Sequence, residues 1–354
     1  MIFGNYLQPY RKEFQMKKRC FSPVVLLVLV GALLCPSIAP AEPIELSLSL
    51  IIPSRHNRYV HILEPWVKMI EERTKGNVKI TPYFANSLAP TNQMFESTTS
   101  GLADISEGLT YANPGRFPLT ETLMLPELGI KSALSASKAL WHLYKTVPQV
   151  QAEYKGVKML WLHAAPPLKI TTTKKPVRNL DDLKNMKIWV TGSVPVVTGK
   201  ALGFSPVPMA PGDVYLALEK GVIDGAIADN EIFVSRKFVD ISKYFTEIDI
   251  TQVAFYVVMN QQKWDSLPAD VKKVFEELSG EWAVEYSGKI RDKEEKEAEE
   301  VAKAKGTNYI QFSAEEKDKV AKILAPVKEK YVSDLEAKGL PGKKVMEELK
   351  KFAN

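Results

Sequence analysis

The sequence predicts an α/β fold of parallel sheets covered by helices, and three observations lead there. Short apolar segments with strand character alternate with amphipathic helical segments along most of the chain, a grammar that places helices on the faces of parallel sheets. The run from Thr251 to Asn260 is almost continuously apolar, as a strand in a sheet interior is. A length of 354 residues is enough for two compact domains, each with its own core.

Ile44 to Ile52 alternates and then turns wholly apolar, as a strand entering a buried sheet does, and Pro53-Ser54-Arg55-His56-Asn57 ends it. Ile62, Leu63, Trp66, Val67, Met69 and Ile70 then share most of one helical face, up to Thr74-Lys75-Gly76. Asn77 to Phe84 is strand-like, and Gln93 to Ser100 helix-like before Gly101. In the middle, strands are expected at 157–163, 168–173, 187–190, 206–209 and 222–228. Helices are expected from Asn179 or Asp181 as cap, at 194–202 and at 212–220, the last closed by Gly221. From Ala269 to about Lys305 few breakers occur. Val271, Val274, Phe275, Leu278, Trp282 and Tyr286 stripe one long helix, bent near Ser279-Gly280. The charge run Arg291 to Glu300 reads as the solvated face of that helix. Two helices follow Tyr309 to Phe312, parted at Leu340-Pro341-Gly342.

The amino terminus has the layout of a secretory signal. Lys17-Lys18-Arg19 precede the apolar run Val24 to Leu34, and Ala39 and Ala41 supply small residues for cleavage after Ala41. The run is short for a permanent membrane helix. Met16 serves as well as Met1 for a start, and a lipid anchor at Cys35 is disfavoured by the bulk of Leu34. These 41 residues hold the basic excess; without them 42 basic groups face 41 acidic ones. Near-balance gives no reason to expect nucleic acid as a partner. Both cysteines, Cys20 and Cys35, also fall in this segment. The exported chain then has no disulfide, thiolate metal site or cysteine nucleophile.

Patterns for catalysis are missing too. His56, His61, His142 and His163 include no i, i+4 pair for a helical metal site. The sequence has no G-x-S-x-G elbow, Walker A loop or G-x-G-x-x-G. Glu71-Glu72 and Asp181-Asp182 read as helix-surface and capping residues rather than as an acid/base pair. Neither an enzyme nor a cofactor or metal is therefore expected.

The stretch Gly203-Phe204-Ser205-Pro206-Val207-Pro208-Met209-Ala210-Pro211-Gly212-Asp213-Val214-Tyr215-Leu216-Ala217-Leu218-Glu219-Lys220-Gly221-Val222-Ile223-Asp224-Gly225 is distinctive as a unit. It resembles the solute-binding proteins of tripartite ATP-independent periplasmic (TRAP) transporters. Further family-like features follow in order: Glu71-Glu72-Arg73-Thr74-Lys75-Gly76, Gly101-Leu102-Ala103-Asp104-Ile105, Lys175-Pro176-Val177, Lys237-Phe238 and Asn260 to Pro268. The resemblance spans essentially all of the chain after residue 41. It implies a two-domain periplasmic binding protein clamshell with crossing hinge strands and a long bridging helix. Domain I would be 42–163 with about 249–293, and domain II 164–248 with about 294–354. A small organic acid would be held between them and delivered to TRAP-type membrane permease subunits.

At three positions where the family usually carries polar anchors, gapless counting places apolar residues. The arginine that closes the strand of Lys187-Ile188-Trp189-Val190 falls on Trp189, a second arginine on Leu168, and the asparagine after Asp-Gly on Ala228. A shift of register would put Lys169 and Asp229 or Asn230 at two of these places. Otherwise the pocket is apolar and aromatic, with the Trp189 indole as a stacking face and N–H donor. The cargo would then be an acid with an aromatic or apolar body. A carboxylate in a closed cleft needs a counter-charge, for which Arg55, His56 and Arg58 are candidates, with Arg116 and His163. Glu107 and Tyr111 follow another strand and are candidates for its lip, as are Ser193 after the Trp189 strand and Tyr256 beside Phe255 on the hinge-side strand. Two other readings stand beside this one: a periplasmic sensor docking on a receptor, and a binder of an ordinary small carboxylate through non-standard anchors.

Overall fold

The computed structural model describes residues 42–353; the expected signal segment lies outside the described residues. Among the described residues eleven strands form two sheets. The first contains β1 (Ile44–Leu50), β2 (Val78–Tyr83), β3 (Ile105–Leu109), β4 (Val157–Ala164) and β10 (Ala254–Asn260), in the order β2-β1-β3-β10-β4. The second contains β5 (Leu168–Thr172), β6 (Lys187–Val190), β7 (Ser205–Pro208), β8 (Gly225–Ala228), β9 (Tyr244–Thr251) and β11 (Asn308–Ile310), in the order β11-β9-β5-β8-β6-β7. The helices that matter below are α1 (Glu64–Arg73), α2 (Ala133–Thr146), α3 (Ser193–Leu202), α4 (Asn230–Ser235), α5 (Gly280–Ala304), α6 (Ala314–Ala337) and α7 (Gly342–Lys350). Among the described residues no helix is long and apolar enough to cross a membrane.

The alternation of segments gave the parallel part of each sheet: β1 pairs parallel with β2 and β3, and β6 with β7 and β8. The hinge strands differ. β10 runs antiparallel between β3 and β4, and β5 antiparallel between β8 and β9. A continuous apolar run tells that both faces of a strand are covered, and is silent on direction. In β10, Val257 and Met259 enter the core on one side of the first sheet, and Ala254, Tyr256 and Val258 the core on the other.

Two connections carry the chain between sheets, β4 to β5 and β9 to β10. They lie side by side, with the Ala165 N–H donating to the Val253 carbonyl at 2.9 Å and the Gln252 amide to the Ala165 carbonyl at 3.3 Å. A third crossing is α5, which packs on α2 and β4 at one end and on α4 at the other. Its approach to α2 requires Gly288, where a Cβ would stand 2.6 Å from the Leu134 Cα. The expected long helix is in fact two, Ala269–Glu277 and α5, because the chain is extended at Ser279 and Gly280 has φ +57°. The carboxy-terminal α7 packs on α2.

The charge run on α5 is only in part a solvated face: Lys293, Lys296, Glu297 and Glu300 are exposed, but the rest of the run turns inward. Arg291, Glu294, Ala298 and Ala302 are buried at helical spacing, since this helix is covered by both halves of the molecule. Another buried carboxylate, Glu121, lies on the segment leading to α2, and burial pushes its pKa up to about 7. Between the ordinary carboxylate range and pH 7 the folded chain keeps a proton that the unfolded chain has lost. Stability therefore falls as pH rises through that window. Glu121→Gln, neutral throughout, should raise the unfolding free energy by about 1–2 kcal/mol at pH 8 and leave it unchanged at pH 4. Urea denaturation at the two pH values checks this; an equal effect at both would refute it.

Candidate functional site

A cleft of about 600 Å³ opens where the strand ends of the two sheets face each other. This is where open α/β sheets bind ligands, because chain ends and turns there present free backbone groups and variable side chains. From the first sheet come Ile51 to Pro53 after β1, the turn with His56 and Arg58, Leu109 at the end of β3 and Tyr111 after it. From the second come Leu168, Trp189 and Val190 at the end of β6 with the turn Thr191-Gly192, the segment Pro208 to Gly212, and Glu231, Ile232 and Arg236 of the α4 region. Phe255 and Arg291 complete the walls from the hinge and the bridging helix.

The first-sheet wall stands on a buried ion pair. Arg58 Nε lies 2.5 Å from Glu107 Oε1, and both residues are buried. The guanidinium lies over the Phe255 ring at 4.4 Å, and His163 stacks on that ring with centroids 4.8 Å apart. Burial alone would raise the Glu107 pKa, but Arg58 and His163 outweigh it and hold the carboxylate ionised. Burial lowers the pKa of His163. Burial, followed by Arg58, pushes His56 down to about 4, so at neutral pH it carries no charge.

The second-sheet wall is braced by its own polar atoms. The Trp189 indole N–H donates to the Met209 carbonyl at 3.1 Å. Gly192 has φ +83°, and a Cβ there would meet Met124 and Tyr111 at 3.0–3.2 Å, so glycine is needed both for the turn and for the approach of Tyr111. The Thr191 side chain faces the Tyr111 hydroxyl.

Behind the cleft, α5 meets the start of α4. Arg291 Nη2 lies 3.0 Å from Asp229, and Nη1 lies 3.3 Å from Glu231 and 3.7 Å from Glu294. Burial raises the Asp229 pKa against the opposing pull of Arg291. Glu294 also meets His61 at 2.6 Å. Arg236 is different. It is half-buried, donates to the Pro211 carbonyl at 3.2 Å, and has no carboxylate in ion-pairing distance among the described residues. Burial lowers its pKa. A guanidinium keeps its charge regardless, so a cation with no ion-paired carboxylate, only the longer-range pull of Glu231, faces aromatic walls.

Two sheets joined by adjacent crossing segments, with a cleft between strand ends, are the design of a binding protein that closes around its ligand. The family model of bacterial extracellular solute-binding proteins, family 7 (DctP), matches residues 49–334. The chain belongs to that family. A TRAP periplasmic solute-binding protein from Desulfovibrio salexigens is 33% identical, with TM-score 0.79 over 88% of this chain and 95% of that one. A marine metagenome TRAP solute-binding protein specific for aromatic acid ligands, seen with metahydroxyphenylacetate, is 26% identical, with TM-score 0.82 over 88% and 98%. A TRAP protein from Bordetella bronchiseptica with bound (R)- and (S)-mandelate is also 26% identical, with TM-score 0.80 over 88% and 99%. Proteins of this family capture small organic acids and deliver them to TRAP membrane permeases.

The sequence-derived candidates of this solute-binding protein divide into three groups. Trp189, His56, Tyr111 and Leu168 line the cleft. Glu107 and His163 lie directly beneath it, against Arg58 and Phe255. The others are elsewhere. Arg55 lines a neighbouring pocket of about 620 Å³ that shares His56, Glu231 and Arg236 with the cleft. Lys169, one residue past Leu168 on β5, points to the opposite side, among Glu247, Asp249 and Gln311. Ser193 is exposed in the first turn of α3. Ala228 is buried in β8, and Asn230 is engaged by Glu295 at 2.8 Å and the Tyr309 hydroxyl at 2.7 Å. Tyr256 is core, with its ring over Gly108 and against Phe95 and Phe117. Arg236, Glu231 and Arg291 escaped sequence reasoning: nothing local separates them from surface charges on helices.

Proposed function

We propose that this solute-binding protein captures a small carboxylate with an aromatic or apolar body, seated in the cleft between the two sheets. The observation that carries this reading is Arg236, a half-buried cation with no carboxylate partner in a cleft walled by Trp189, Tyr111 and Phe255. The ligand carboxylate takes the free guanidinium donors of Arg236, a geometry suited to two parallel hydrogen bonds. Arg58, neutralised by Glu107, adds donors but little net charge. The ring lies against Trp189, whose N–H is taken by Met209, so the indole serves as an apolar face. The aromatic acids bound by the marine metagenome and Bordetella relatives support the same class of ligand.

The chain is exported by cleavage after Ala41 and works as a carrier without turnover. The closing lobes are 42–163 with about 249–293 and 164–248 with about 294–354, except that α7 rides with the first lobe through its packing on α2. Closure is driven by the ligand's greater affinity for the closed form.

A thermal-shift panel tests the reading on ligand-stripped protein. Benzoate, 3-hydroxybenzoate, mandelate and hydroxyphenylacetate are set against succinate and malate. At about 100 times Kd a ligand adds ~2.7 kcal/mol, which corresponds to a rise in Tm of roughly 5 °C for a chain of this size. A rise with succinate and none with any aromatic acid would overturn it.

A further inference from the structure

The charges of the cleft define how many negative charges its cargo carries. Three arginines reach the cleft, Arg58, Arg236 and Arg291. Arg58 is committed to Glu107, and Arg291 to Asp229, Glu231 and Glu294. Among the described residues only Arg236 of these is uncommitted. Glu231, moreover, forms part of the cleft wall itself and is 2% exposed. Its Oε1 accepts from the Asn57 amide at 3.1 Å and its Oε2 faces Arg291 at 3.3 Å, so the carboxylate is fixed from two sides. Burial would raise its pKa, but Arg291 and the other donors hold it ionised.

We propose that Glu231 is a built-in counter-anion that restricts the cargo to monocarboxylates. One ligand carboxylate satisfies Arg236. A second one in the same cleft finds no uncommitted cation and meets the fixed charge of Glu231 at low dielectric, where repulsion between like charges is strong. An aromatic monoacid is thus accepted and the corresponding diacid rejected. This rests on the aromatic-acid reading above and sharpens it.

The test compares isophthalate with its monomethyl ester, nearly equal in shape and different by one charge, with benzoate as reference, by titration calorimetry at pH 7.5. The wild-type protein should bind the monoester at least about tenfold more tightly than the diacid. Glu231→Gln removes the charge and keeps one oxygen acceptor, enough for Arg291 but not for Asn57 as well; it should shrink the ratio to about threefold or less. A purely structural role for Glu231 would weaken both ligands alike and leave the ratio unchanged, which would overturn the proposal. Should the variant fail to fold, the wild-type ratio still decides: equal affinity for monoester and diacid refutes it. Absence of binding by all three compounds sinks the aromatic-acid reading and this inference with it, whereas equal affinities sink the inference alone.

Discussion

Arg236→Ala is expected to weaken binding of an aromatic carboxylate on the order of 100-fold or more, with little change in the stability of the ligand-free protein. The binding loss follows from removing the cleft cation that has no ion-pair partner among the described residues. Truncating one member of a buried charged pair costs roughly 2–5 kcal/mol, because the remaining charge is left without a partner. The small stability effect follows from its present contacts, a single hydrogen bond to the Pro211 carbonyl from a half-buried side chain, worth about 1 kcal/mol. Arg236→Lys should recover only part of the affinity, since an ammonium is a point charge and cannot present the planar fork. Titration calorimetry with whichever aromatic acid gives the largest thermal shift measures both variants. A loss under threefold for the alanine variant would remove Arg236 from the site.

The largest stability effect is expected at Arg291. Arg291→Ala leaves Asp229 and Glu231 buried without their cation, and breaking a buried ion pair from one side costs about 3–5 kcal/mol. The loss should depend on pH, with a sign that can be worked out. In the variant both carboxylates have folded pKa values raised above the unfolded ones by uncompensated burial. Stability is then kept at low pH, where they are protonated, and lost as pH rises through the raised values. The deficit against wild type is therefore larger at pH 8 than at pH 5. Guanidinium denaturation at both pH values reads it out; a deficit under about 1 kcal/mol, or one that does not change with pH, would contradict the account.

Much of the architecture was legible because it rests on local patterns. Alternating strand and helix segments required helices on sheets, and the run 251–260 required a strand covered on both faces, as β10 is. Ser279-Gly280 marked an interruption, and it proved a full break because Gly280 adopts positive φ. Strand ends were legible as cleft positions too, which pointed to His56, Tyr111 and Trp189, whereas Leu168 came from counting against the family pattern. The misplacements came from one-residue effects. Lys169 differs from Leu168 only in which side of β5 it faces, and Asn230 is drawn away by Glu295 of a helix 65 residues distant.

What the sequence determined by itself is the class of molecule: an α/β chain with a family-like ordered series of segments, and an apolar ring at Trp189 where an arginine is usual. What only the tertiary structure decided is where charge is left over. Arg236, Glu231 and Arg291 look alike in sequence, as charges on helices. Their roles separate only after folding brings Asp229, Glu231 and Glu294 to one arginine and none to the other. Compensation of a buried charge depends on distance in space, and a helical charge pattern holds no record of it.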